Sequence, residues 1–293
     1  MNFGTVAILG PGLIGGSLAL ALAERGLADR LMIYARSPRA LDEIRLAGVD
    51  AELTQNPSEA VREADIVILC VPIEAMPALV RECRDALKPT ALVTDVGSVK
   101  GSVDRDLAPL LEGHALWIGS HPMAGSEQAG FSAARPDLFV NAAVIVTPTK
   151  QTHRKAIEGA EKFWTALGAR IFSLTPIFHD DCVAQISHLP HLLASALVCH
   201  ANEEAREIAA GGFRDTTRVA AASAELWSEI LLANSEAVAD NLKHFIAELE
   251  TLRHALLQPD KKDAKSLLMP TLKTAQSVRS QMSETNPFFK KSS

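Results

Sequence analysis

The chain has 293 residues, of which 47% are hydrophobic and 22% are charged, so its composition is that of a globular protein with a large core. A formal net charge of -6 and the shortness of the basic clusters argue against a nucleic-acid partner, because binding phosphates requires a basic face. There is no signal-like N-terminus, and charges or glycines interrupt the apolar stretches well before the roughly 20 residues that span a bilayer. We therefore expect a cytoplasmic protein of two domains without membrane association.

Short apolar segments alternate with segments of helical period from the N-terminus to about residue 175. The apolar segments are residues 6–9, 31–34, 66–71, 91–94 and 143–146. Strands that are apolar on both faces and are separated by helices indicate a parallel sheet covered on both sides. Residues 1–176 are thus predicted to form a doubly wound α/β domain.

The composition changes after Pro176, where Ala, Leu and Glu begin to dominate. One helix is predicted from about residue 180 to 210, and further helices over 222–257. Helices this apolar are difficult to bury in so small a domain, so residues 177–293 are predicted to be an all-helical domain that packs against a second copy in a homodimer. The tail after Gln258, rich in Lys, Ser, Thr and Pro, is expected to be partly disordered.

A glycine-rich turn joins the first predicted strand to the first predicted helix. Gly10 is expected to make the tight turn, Gly12 to let the backbone approach a pyrophosphate, and Gly15 to let the helix pack on the strand. Leu13 and Ile14 lie between them, where the helix N-terminus would face the anion. Glycines also occur in ordinary turns, but the strand before and the helix after agree with a Rossmann-type dinucleotide site.

The choice of cofactor depends on the residues after the second predicted strand. NAD enzymes usually place an acid about 20 residues beyond the glycines, and here the position holds Ala35. Arg36, Ser37 and Arg39 could bind a 2′-phosphate instead, so NADP is favoured over NAD. Alternatively, Arg36 is a solvated loop charge and the enzyme takes either cofactor. Val71, which ends a later strand, is expected beside the nicotinamide ribose.

Two polar residues follow later strands. Ser98 comes after a predicted strand, at the edge where doubly wound folds bind ligands, although it could equally cap the next helix. His121 is followed by Pro122 at another strand end. A hydride leaves an alcohol carbon readily only if the hydroxyl proton is removed, and a neutral imidazole suits that task near pH 7. His121 is the predicted general base, although single loop histidines are more often inert.

The helical half contributes two histidines and two arginines. His188 and His191 share one face of a predicted helix. This spacing can bind a metal, but no neighbouring carboxylate or cysteine completes a ligand set, so no metal site is predicted; capping and solvent exposure near a helix start are the alternative. Arg214 and Arg218 lie in a predicted loop and could clamp a substrate carboxylate, unless Arg214 pairs with Asp215.

Five segments carry these residues: GPGLIG at 10–15, DVGSVK at 95–100, HPMAG at 121–125, SHLPH at 187–191 and GFRDTTR at 212–218. Together, and in this order along the chain, they resemble the prephenate and arogenate dehydrogenase family over roughly residues 5–257. A generic hydroxyacid dehydrogenase would share only the first of them.

The resemblance implies a Rossmann domain joined to a dimerising helical domain. It also implies oxidative decarboxylation of prephenate to 4-hydroxyphenylpyruvate, or of arogenate to tyrosine, with hydride transfer to NAD(P) in tyrosine biosynthesis. In that family the histidine matching His121 polarises the ring hydroxyl, assisted by the serine matching Ser98. The histidines matching His188 and His191 lie in the substrate pocket, and the arginine matching Arg218 binds a substrate carboxylate.

Two other functions fit the two-domain plan. A β-hydroxyacid dehydrogenase or imine reductase would rely on other polar groups, and the segments 187–191 and 212–218 argue against it. A non-catalytic nucleotide-sensing protein would not need His121, Ser98 and Arg218 together.

Overall fold

Strands and helices alternate through much of the computed structural model, which describes residues 1–125, 128 and 130–285. The strands are β1 (Thr5–Leu9), β2 (Arg30–Tyr34), β3 (Glu52–Thr54), β4 (Ile66–Leu69), β5 (Leu92–Asp95), β6 (Leu116–Trp117), β7 (Gly119–Pro122), β8 (Ala143–Thr147) and β9 (Arg170–Ser173). The helices of the first part are α1 (Leu13–Glu24), α2 (Pro38–Leu46), α3 (Pro57–Val61), α4 (Met76–Cys83), α5 (Gly101–Leu111) and α6 (Arg154–Ala166). Those that follow are α7 (Pro176–Val183), α8 (Leu189–His200), α9 (Glu203–Glu207), α10 (Gly211–Thr217), α11 (Ala224–Ala233), α12 (Ser235–Leu256) and α13 (Lys261–Thr285).

Six parallel strands form the main sheet, in the order β3-β2-β1-β4-β5-β6. This is the Rossmann strand order. Alternate residues of β1 enter different apolar clusters, with Val6 and Ile8 in one and Ala7 and Leu9 in the other. Both faces of the sheet are therefore buried, which confirms the predicted doubly wound domain and explains why its strands are apolar throughout.

The prediction that residues 143–146 belong to the parallel sheet is wrong. They lie in β8, the middle strand of a second sheet, antiparallel to β7 and parallel to β9. An apolar strand buried on both faces has the same sequence pattern in either sheet, since periodicity does not report strand direction. β7 follows β6 after the single residue Ile118, so His121 lies in the second sheet, opposite Ile145 of β8.

The helical part begins with α7, a π-helical turn (Ala184–His188) and α8, which follow one another without a break. Thr175 caps α7 by accepting a hydrogen bond from the backbone N–H of Phe178. The predicted helix was expected to reach about residue 210, but it ends at His200. Asn202 then caps the short helix α9 by accepting from the backbone N–H of Ala205.

Residues 211–218, predicted as a loop, form α10 and the start of a 3₁₀ turn (Arg218–Ala221). Gly211 and Gly212 occupy the first two positions of α10. Glycine is unfavourable in the interior of a helix, but these two glycines stand at its start, before most of its hydrogen bonds. The two glycines therefore mark the beginning of a helix, whereas their sequence suggested the beginning of a loop.

The chain divides into two compact units after Val238. The second unit holds most of α12 and all of α13, which runs to Thr285 where the composition predicted partial disorder. Asp260 caps α13 by accepting hydrogen bonds from the backbone N–H groups of Lys262 and Asp263. The last part of the tail, residues 286–293, lies outside the described residues.

By length and composition alone, the helical stretch Pro176–His200 could cross a membrane, with a mean hydropathy of 1.4 in its most apolar window. It is longer than the sequence analysis expected for any apolar segment. One such stretch is weak evidence of a membrane span, because the core helices of soluble proteins have the same character. This stretch also contains the buried polar residues His179, Asp180 and His188.

Candidate active site

The glycine turn has the close contacts that its spacing predicts. Gly10 has a φ of +112°, and a Cβ atom there would lie 2.6 Å from the carbonyl oxygen of Cys70. A Cβ on Gly15 would lie 2.0 Å from the carbonyl oxygen of Gly10, whereas one on Gly12 would meet nothing within 4 Å. Two of the glycines thus permit close packing, and the third leaves the backbone open towards the space in front of α1, whose first turn holds Leu13 and Ile14.

A cavity of 610 Å³ opens beside this turn, and its lining includes Gly10, Gly12, Arg36, Ser37 and Val71. Ser37 precedes α2, and its side chain makes no capping hydrogen bond. The predicted cofactor-binding residues at the ends of β1, β2 and β4 therefore border one space, at the carboxyl edge of the sheet where doubly wound folds bind nucleotides. The carboxylates of Glu43 and Glu82 also border this space.

His121 lies in β7 and is hydrogen-bonded to a residue that the sequence analysis missed. Its Nδ1 atom is 2.8 Å from Nε2 of His179, and Nδ1 of His179 is 2.7 Å from Oδ1 of Asp180. His179 is fully buried. The available signal was the polar run His179-Asp180-Asp181 inside a mostly apolar helical stretch.

Asp180 is fixed by the backbone around the start of α5. Its Oδ1 and Oδ2 atoms accept hydrogen bonds from the N–H groups of Lys100 and Gly101, each at 2.7 Å. The side-chain amide of Asn234 donates to the carbonyl oxygen of Asp180 at 2.8 Å and contacts Nδ1 of His188 at 3.1 Å. One carboxylate thus connects the loop after β5 to the histidines of the helical part.

A buried ion pair connects the same loop to β7. The Lys100 ammonium pairs with the carboxylate of Asp95 and donates to the carbonyl oxygen of Ser120 at 2.9 Å. Burial lowers the pKa of Lys100 in spite of these partners. Lys100, not Ser98, is the N-cap residue of α5, so the structure removes the capping alternative for Ser98 and leaves its partly buried side chain without that task.

The pKa of His121 lies well below the ordinary value of 6.5, chiefly because burial disfavours the charged form. His179, Lys100 and His188 lower it further by charge repulsion. His121 is therefore neutral at pH 7 and has a nitrogen free to accept a proton.

His188 and His191 are buried, which excludes the alternative that they are solvent-exposed capping residues. The ring of His191 stacks on that of Trp227, with the ring centroids 3.6 Å apart and an interplanar angle of 7°. Nδ1 of His191 has no hydrogen-bond partner among the described residues. Burial lowers the pKa of His188 from 6.5 to about 4 and also lowers that of His191. Both rings are neutral at pH 7.

The two arginines differ in their surroundings. Arg214 has 78% of its side chain exposed and pairs with Asp215 at 2.9 Å, which is the alternative that the sequence allowed. Arg218 begins the 3₁₀ turn that packs against α8, the helix of His191. The structure thus brings the turn of Arg218, rather than the side chain of Arg214, beside the histidines.

The turn that follows Val71 links the nucleotide cavity to the helix that carries Trp227. Val71 borders the cavity, and the 3₁₀ turn that follows it (Ile73–Ala75) contacts α11, which carries Trp227. A Cβ atom on Gly97, next to Ser98, would lie 3.1 Å from the side chain of Ile73. Among the described residues no cluster of three or more His, Cys, Asp or Glu side chains could hold a metal ion.

A Rossmann domain with a nucleotide cavity and a buried neutral imidazole, followed by a helical part, is typical of an NAD(P)-dependent dehydrogenase. The family model for the prephenate dehydrogenase nucleotide-binding domain matches residues 18–173, and that for the prephenate dehydrogenase dimerization domain matches residues 175–273. The chain belongs to the prephenate dehydrogenase family.

Individual relatives agree with this assignment. The chain is 37% identical to the cyclohexadienyl dehydrogenase of Zymomonas mobilis, over 88% of this chain and 90% of that protein. It is 33% identical to the prephenate dehydrogenase of Bacillus subtilis, over 94% and 75%. The prephenate dehydrogenase of Aquifex aeolicus, solved in complex with hydroxyphenyl propionate and NAD+, superposes with a TM-score of 0.88 at 29% identity, over 96% of this chain and 99% of that one.

Proposed function

We propose that the chain catalyses the oxidative decarboxylation of prephenate to 4-hydroxyphenylpyruvate in tyrosine biosynthesis, with arogenate as the alternative substrate. The observation that carries this proposal is the buried, neutral His121 in a prephenate dehydrogenase fold. The names of the relatives support both substrates, since two are prephenate dehydrogenases and one is a cyclohexadienyl dehydrogenase.

His121 serves as the general base in this reaction. When bound, the nicotinamide supplies the acceptor for the hydride that leaves the ring carbon. His121 polarises the hydroxyl on that carbon and takes up its proton, with Ser98 as a second hydrogen-bond partner. The bond between the ring and its carboxylate then breaks, carbon dioxide departs, and the electron pair of that bond stays in the ring and makes it aromatic. The proton returns to the phenolic oxygen. The protein thus supplies positioning and one proton acceptor.

His188, His191 and Arg218 are the proposed substrate-binding residues. Arg214, which the sequence also suggested, would have to leave its pairing with Asp215 to take part. Asn234 is placed to donate to Nδ1 of His188, so the proton of this neutral ring lies on Nε2, where it can be donated to a substrate oxygen. Nδ1 of His191 has no hydrogen-bond partner within the described part of the chain, which supports a contact with substrate, because buried polar atoms are normally hydrogen-bonded. Arg218 is proposed to bind a substrate carboxylate in bidentate fashion.

NADP is the preferred cofactor in this proposal, with NAD as the alternative. It is supported by Arg36 and Ser37, which border the cavity where an NAD enzyme carries an acid. Gly10, Gly12, Leu13, Ile14 and Gly15 would hold the pyrophosphate at the N-terminus of α1, and Val71 would lie against the nicotinamide ribose.

We also propose two functional domains, residues 1–176 and 177–293, and a cytoplasmic homodimer. The matches of the two family models, which meet between residues 173 and 175, support the domains. Large apolar side chains at the start of the helical part support the dimer, since Ile177 and Ile186 are 82% and 67% exposed.

Measuring the reduction of NADP and of NAD with prephenate and with arogenate, side by side, tests the proposed reaction. We expect turnover with prephenate, and a smaller KM for NADP than for NAD. An enzyme that turns over neither substrate would exclude the proposed function.

A further inference from the structure

His179 and Asp180 form a buried pair directly behind the proposed base. The hydrogen bonds run from His121 Nδ1 to His179 Nε2 at 2.8 Å, and from His179 Nδ1 to Asp180 Oδ1 at 2.7 Å. Neither residue has a role in the reaction as derived so far. Both come from α7, 58 or more positions after His121, so the fold has brought the three side chains together.

The directions of these hydrogen bonds follow from the acceptor at the end of the row. The carboxylate of Asp180 already accepts two backbone N–H groups and can only accept from His179, so the proton of His179 lies on Nδ1. A neutral imidazole with its proton on Nδ1 has a lone pair on Nε2. His179 therefore accepts from His121, and the proton of His121 lies on Nδ1. Nε2 of His121 is left as the basic nitrogen.

We propose that His179 and Asp180 are positioning residues that hold His121 in the tautomer whose Nε2 accepts the substrate proton. This inference rests on the proposed function, because it presupposes that His121 is the base. When His121 takes up a proton, its Nδ1–H bond to His179 becomes charge-assisted. The row then places the carboxylate of Asp180 behind the new positive charge and opposes the repulsion by Lys100.

The contacts of Asp180 show how the row is held in place. A Cβ atom on Gly101 would lie 2.8 Å from Oδ2 of Asp180, so the glycine is what lets the carboxylate reach the backbone N–H groups at the start of α5. These contacts fix Asp180 whether or not His179 is present. Substitution of His179 can therefore probe the row without removing the bonds between α7 and α5.

The experiment compares H179N with H179Q in the full-length enzyme. An asparagine amide reaches the position of Nδ1 and can still donate to Asp180, but it is too short to accept from His121. A glutamine amide reaches the position of Nε2 and restores that acceptor. H200Q changes an exposed histidine at the end of α8 and is the control that should leave the kinetics unchanged.

We expect kcat of H179N to fall by on the order of 100-fold. The direction follows the serine-protease triad, where losing the carboxylate that fixes the histidine tautomer lowers kcat by about 10⁴-fold. The loss should be smaller here because Asp180 itself is kept. H179Q should stay within about 10-fold of the wild type, since it keeps the tautomer. KM for prephenate and the affinity for NAD should change little in both. The acid limb of the kcat profile should move to lower pH in H179N, because the protonated His121 has lost its acceptor.

The inference is overturned if H179N keeps the wild-type kcat and pH profile. It is also overturned if H179N and H179Q lose activity equally, or if both lose NAD binding, because the pair would then be only structural. H121N in the same series distinguishes a failure of the proposed base from a failure of the positioning role alone. Full activity of H121N removes the base and with it the proposed mechanism, whereas a slow H121N with a fast H179N removes the positioning role alone.

Discussion

Acidification should destabilise the protein through His188, and the structure sets the size of the effect. The pKa of this buried histidine is lowered from 6.5 to about 4, whereas the unfolded chain keeps the ordinary value. Above pH 6.5 both states are neutral and His188 contributes nothing. As the pH falls below 6.5 the unfolded state binds the proton first, so stability is lost. At pH 5 the loss from this one group is about 2 kcal/mol.

The assay is urea unfolding of the wild type and of H188N at pH 7 and pH 5, at one fixed protein concentration. Asparagine does not titrate, so the wild type should lose about 2 kcal/mol more than H188N between the two pH values. H244N, which removes a histidine with a 71% exposed side chain, should behave as the wild type. Equal losses in the wild type and in H188N would refute the reasoning, because His188 would then titrate alike in the folded and unfolded states.

Three substitutions test the nucleotide and substrate sites. G15A should lower Tm and weaken NAD binding together, because its Cβ would lie 2.0 Å from the carbonyl oxygen of Gly10. G12A has room for its Cβ and should weaken NAD binding while keeping Tm. Equal effects of the two variants on Tm would contradict this assignment. R36A should raise the Kd for NADP and leave that for NAD nearly unchanged, and an equal loss for both would argue against 2′-phosphate recognition. R218A should mainly raise KM for prephenate, so a fall in kcat at unchanged KM would place Arg218 elsewhere in the mechanism.

The main sheet could be predicted from the sequence because both faces of its strands are buried. Val6 to Leu9 is apolar without alternation, and only a sheet covered on both sides needs that pattern. The second sheet could not be predicted in this way. The burial of β8 is the same in either sheet, and the short strands β6 and β7 give too little pattern to show where the chain leaves the main sheet.

The candidate site could be predicted only where its residues belong to local motifs. The glycine turn, His121 and the histidines of SHLPH each stand in a recognisable segment. His179 and Asp180 do not. Their role depends on the hydrogen bond between His179 and His121, 58 positions away, and adjacent polar residues on a helix are more often solvated. The helix α10 was missed for a local reason, since two consecutive glycines are common in loops.

The most direct test of the account is the steady-state rate of H121N with prephenate and the preferred dinucleotide. If His121 is the base, kcat should fall by on the order of 100-fold or more, while NAD binding and Tm stay close to those of the wild type. Full activity of H121N would contradict the central claim that the neutral imidazole of His121 accepts the proton as the hydride departs.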